Sequence, residues 1–147
     1  MGLKDRLATR KRPSTAYALR VDDDTAARTA LVTAQASGDP TRIAEAEAAL
    51  DACYEQLTIT ALPPVELEEL LKQHPPTDAQ RAAGHTTFNP DTFVAALLAA
   101  CIASDVSEAE WMEYTTKGAM TAGETNSLFN DAWDINYRVL DQNIKKG

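Results

Sequence analysis

Two periods of hydrophobic and polar residues alternate along this chain. In residues 15–21 Tyr17, Leu19 and Val21 fall on one side at period two, and in residues 57–62 Leu57, Ile59 and Ala61 do the same. Each segment predicts a short, half-buried strand. Between them the period is helical: Ala27, Leu31 and Ala34 lead up to Gly38, and Ile43, Ala46, Leu50, Cys53 and Leu57 then recur at spacings of 3, 4, 3 and 4. Asp39 can cap the second helix and Pro40 suits its first position. Two helices joined at Gly38-Asp39 form an αα-hairpin that returns the chain to its start, so the two strands can pair antiparallel.

Beyond Pro63-Pro64 only helical signals remain. Val65, Leu67, Leu70 and Leu71 mark a helix running up to His74, where Pro75-Pro76 stops it. Thr77 and Gln80, Ser107 and Glu110, and Thr121 and Glu124 each have capping-box spacing. Asn89-Pro90-Asp91 opens a helix over 93–102 that is apolar nearly all round and therefore central. The last two helices carry Trp111 and Tyr114, then Leu128, Ala132, Ile135 and Val139, with Gly118 between them. The fold expected is mainly α, with a small two-stranded antiparallel β element and a helical hairpin followed by a bundle of short helices. Residues 1–14 show little periodicity and are expected to form a flexible basic arm. Residues 15–62 hold strand, hairpin and strand, and residues 63–147 form a helical bundle in one globular unit with them.

Composition adds a qualification. Alanine accounts for 26 of the 147 residues, while Leu, Ile, Val and Phe together number 28. A core so rich in alanine removes little apolar area per residue, which suits a chain that completes its burial on a partner. The net charge of -8 is uneven: residues 1–20 hold six basic groups against Asp5, leaving 8 basic and 21 acidic residues in the remainder. An acidic body repels phosphate backbones, so nucleic acid is disfavoured and could be bound only by the basic arm. The arm lacks the apolar run of a signal peptide, and no stretch is long enough to span a bilayer, so a cytoplasmic location without membrane contact is expected.

No catalytic constellation assembles from these residues. His74 and His85 are the only imidazoles, and with Cys53 and Cys101 their spacings match no zinc knuckle or ribbon. Asp22-Asp23-Asp24 lies at a helix start, where acidic side chains satisfy orphan N–H groups without a cation. Phosphate-cradling glycine arrays are absent from the sequence. The reading is therefore a protein without catalytic, cofactor-binding or metal-binding residues. Large side chains then mark the best candidates for a protein-binding surface: Leu70, Leu71, Phe88, Phe93, Trp111, Tyr114, Phe129 and Trp133. Trp111, Phe129 and Trp133 are also expected to serve the core, because a chain with few large residues needs them inside.

An ordered set of motifs extends this picture. After the strand ending near Leu62 come the helix Val65-Glu66-Leu67-Glu68-Glu69-Leu70-Leu71, then His74-Pro75-Pro76-Thr77, then Phe88-Asn89-Pro90-Asp91-Thr92-Phe93 with its apolar helix. Glu110-Trp111, Gly118, Glu124 and the Leu128, Ala132, Asn136 series follow. Residues 57–137 thus resemble the tail assembly chaperones of long-tailed actinobacterial phages and prophages. The resemblance implies a non-enzymatic assembly factor that binds the tape measure protein while tail tube protein polymerises around it. It also implies a second, longer product made by frameshifting, with which Lys145-Lys146-Gly147 is compatible, since an adenine-rich slippery run can encode it. Self-association is compatible as well. The alternative is a virion structural adaptor, such as a head–tail or tail-tube component.

Overall fold

A computed structural model of the chain describes residues 2–139. Its elements run α1 (Leu3–Ala8), β1 (Ser14–Arg20), α2 (Thr25–Ser37), α3 (Pro40–Asp51), β2 (Tyr54–Thr60), α4 (Pro64–Gln73), α5 (Asp78–Ala82), α6 (Pro90–Cys101), α7 (Glu108–Thr116) and α8 (Ala122–Tyr137). The architecture is mainly α with one small β element: β1 and β2 form a two-stranded antiparallel sheet. At one end Val21 N–H donates to Cys53 O at 2.8 Å, and at the other Ala61 N–H donates to Pro13 O at 3.0 Å. This constant register sets Tyr17 opposite Leu57 and Thr15 opposite Ile59. Leu57, Ile59 and Ala61 are all buried, as their alternation requires. Among the described residues no helix is long and apolar enough to cross a membrane.

The chain divides into two compact units, one comprising residues 16–57 and the other residues up to 15 together with those from 58 onward. In the first, α2 packs along α3. Gly38 closes α2 with φ 70°, a left-handed conformation that glycine adopts without penalty. Asp39 then caps α3 by accepting from Thr41 N–H at 3.0 Å. The expected stripe from Ile43 to Leu57 is cut short, because α3 ends at Asp51. Cys53 sits in the turn that follows, and Leu57 faces inward from a strand rather than from a helix. Within the aspartate triplet Asp23 satisfies an orphan N–H at the helix start as expected, and Asp24 does not. Asp24 occupies the N-cap position without capping. Instead its carboxylate accepts from Arg28 Nε and Tyr54 Oη, both at 2.6 Å, while Asp23 accepts from Thr25 N–H at 3.0 Å.

In the second unit α6 is the centre. It packs against α4, α7 and α8, and Phe93, Ala95, Ala96, Leu97, Leu98 and Cys101 on it are buried. Burying each large side chain contributes about 1.5–3 kcal/mol, so Phe93, Leu97 and Leu98 supply much of what holds this unit. All three capping boxes form as their spacing predicts. Past α6 the backbone extends: Ile102 bridges to Ile59, and Ala103 N–H donates to Thr58 O at 3.4 Å, so a third segment lies against β2. Asn136 completes that strand, its Oδ1 accepting from Leu62 N–H at 2.7 Å.

Residues 1–14, expected to lack regular structure, contain α1. Their end is also tied down, because Arg12 Nε donates to Ala61 O at 3.0 Å beside the Pro13–Ala61 bond. At the other end α8 stops at Tyr137, which leaves Val139 outside the helix and 84% exposed. Lys145-Lys146-Gly147 lies outside the described residues.

Candidate functional site

Four of the eight candidate binding residues come together. The turn before α6 places Phe88 with its ring centroid 4.6 Å from Phe93, 5.4 Å from Trp133 and 5.7 Å from Phe129. On α8 the spacing of four residues stacks Phe129 on Trp133 at 6.1 Å and continues to Tyr137 at 4.7 Å. The Thr121–Glu124 capping box fixes where that helix begins, and so which face carries the rings.

Burial along this row is graded. Phe93 is fully buried, Phe88, Phe129 and Trp133 are half-buried, and Tyr137 is 51% exposed. A row that starts in the core and ends in solvent is held rigid at one end while offering ring surface at the other. Pairs of this geometry add about 0.5–1.5 kcal/mol beyond their area.

Two members of the cluster were not among the candidates. Tyr137 could have been found, since it continues the spacing of four from Phe129 and Trp133. His74, one of the two imidazoles, packs edge-on against Phe93 at 6.1 Å. Its Nδ1 is 2.9 Å from Thr92 Oγ1, and its carbonyl accepts from Asn89 N–H at 2.8 Å. The residue thus clamps the end of α4 to the start of α6. Gln80 supports the same corner, donating to Asn89 Oδ1 at 2.9 Å and Asp91 Oδ2 at 3.0 Å.

The other four candidates lie apart from the row. Leu70 and Leu71 are half-buried on α4. Trp111 is buried at 3% exposure, and its indole N–H has no acceptor among the described residues. Tyr114, also on α7, is 43% exposed. Its backbone explains Gly118, because a Cβ there would stand 2.9 Å from Tyr114 Cα.

Titratable groups elsewhere are in structural roles. Burial pushes the Cys101 thiol up, and the Asn136 amide, donating to Sγ at 3.5 Å, offsets this in part. The hydrogen bond from Tyr54 and then that from Arg28 hold Asp24 below the usual carboxylate range. Bonding to Ser107 N–H does the same for Glu110. Among the described residues no three His, Cys, Asp or Glu side chains are placed to hold a metal ion.

No protein-family model, curated protein or solved structure matches this chain.

Proposed function

We propose that this chain is a non-enzymatic tail assembly chaperone that binds the tape measure protein during tail morphogenesis. The graded aromatic row carries this reading. An amphipathic helix laying its apolar stripe across Phe129, Trp133 and Tyr137 would cover the exposed Tyr137 ring and the partly covered faces of the other two, which α8 already holds in place. Recognition of this kind asks only for regularly spaced apolar side chains, which a long helical protein repeats many times. The row lies within residues 57–137, the stretch that resembles the chaperone family. Tail tube protein enters the scheme through a longer frameshifted product, and the work is done in the host cytoplasm.

Co-expression with a tape measure protein from the same genome is the test. The expected result is a several-fold rise in that protein's soluble yield, with the chain absent from purified particles. No effect on solubility would overturn the reading. Stoichiometric copies of the chain in particles would replace it with a structural adaptor.

A further inference from the structure

The basic N-terminal segment has a use that its sequence alone does not suggest. Because Arg12 and Pro13 are bound to Ala61, the segment is docked, and it forms one wall of a cleft of about 450 Å³. Arg10, Lys11 and Arg138 stand exposed around this cleft, while Leu7, Leu62 and Ile135 provide apolar lining. No carboxylate lines it, and among the described residues none of the three cations forms an ion pair. This gathering of positive charge sits on a chain whose residues 21–147 carry 21 acidic groups against 8 basic ones. Such a focus of unpaired cations attracts an anionic ligand.

We infer that the cleft docks an acidic, leucine-bearing segment of a partner protein. Both halves of that description are needed, because the cations call for carboxylates and the lining calls for apolar side chains. A nucleic-acid backbone would satisfy only the cations and would be repelled by the rest of the chain. The chain's own residues 140–147 bring one acid, Asp141, against Lys145 and Lys146, which is the wrong sign. A second copy could offer the acidic α4, but that helix turns Leu67 inward and already half-covers Leu70 and Leu71, leaving Val65 as its one fully exposed large apolar side chain. The cleft is lined by other residues than the aromatic row, so the two readings stand or fall separately.

The test uses the full chain and a fluorescein-labelled peptide of about twelve residues, built from repeats of Glu, Glu and Leu, read by anisotropy. The peptide should bind and weaken as salt rises. The triple variant Arg10→Ser, Lys11→Ser, Arg138→Ser should lose at least about tenfold in affinity, and a Glu-only peptide of equal length should bind several-fold more weakly. Arg12 is kept because it anchors Ala61. Circular dichroism checks the fold of the triple variant, and Arg138→Glu alone provides the same readout if the triple variant melts early. Unchanged binding by these variants, or equal binding of the Glu-only peptide, overturns the inference. Tighter binding of single-stranded DNA of equal charge assigns the cleft to nucleic acid instead. Self-association seen by sedimentation and abolished by the same substitutions assigns it to a second copy.

Discussion

In the hairpin, α2 and α3 each bury a single alanine, Ala34 and Ala46, and leave Val32 66% exposed. In the helical body α6 alone buries six side chains, three of them large. The hairpin keeps its form through a few discrete devices: a glycine in the left-handed region, an aspartate cap, and the Asp24–Arg28–Tyr54 cluster that ties the start of α2 to β2. The body depends on area removed from water. Sequences use both strategies, but only the second resists loss of a single contact by spreading the burial over many neighbours. The hairpin should therefore open at a lower free energy than the body, and amide exchange should show it.

The largest effect should come from the centre of the body. Phe93→Ala removes the ring that meets His74, Phe88, Phe129 and Trp133, and it should cost about 3–5 kcal/mol in urea denaturation. A cost under about 1 kcal/mol would mean that the cluster is not the structural anchor described here.

Next in size is Asn136→Ala. It leaves Leu62 N–H without its acceptor and should cost about 1–3 kcal/mol. Because Asn136 Nδ2 also bonds Ala132 O at 2.7 Å and Cys101 Sγ at 3.5 Å, and that bond holds the thiol's rise in check, the loss should push the Cys101 thiol further up and make it react more slowly with a thiol reagent. Unaltered thiol reactivity would separate the two roles.

The smallest effect tests the hairpin and depends on pH. Asp24 is held below its usual value of 3.8 by Tyr54 and Arg28, so the folded hairpin favours its ionised form. That contribution is present above the usual value and is lost as pH falls through the lowered one. Asp24→Asn should weaken amide protection in α2 at neutral pH, and the gap from wild type should close in acid. A gap independent of pH would remove Asp24 from the account.

The elements that announced themselves in the sequence carried local signals. Asn89-Pro90, the three capping boxes and the alternation of Leu57, Ile59 and Ala61 each act within a few residues, and each predicts the element found. What escaped depended on distant partners. The segment before Ser14 has no periodicity of its own, and the docking of Arg12 and Pro13 on Ala61 cannot be read from residues 49 positions apart. The extension of β2 by Ile102 and Ala103 is hidden for the same reason. For the site, Phe88, Phe93, Phe129 and Trp133 were marked by residue type, but type alone could not separate them from Trp111, which is buried on α7 outside the row. Tyr137 was legible in its spacing. His74 was not, because its place against Phe93 follows from the fold.

The central claim is that the exposed end of the aromatic row receives an apolar helix. Co-purification of a tagged tape measure fragment with wild type and with Tyr137→Ser tests it most directly, since Tyr137 is half exposed and its loss should leave the fold intact. The account predicts retention of the wild-type chain and a loss of at least about tenfold in affinity for the variant, with matching thermal melts. Equal retention of both chains, or of neither, would contradict it.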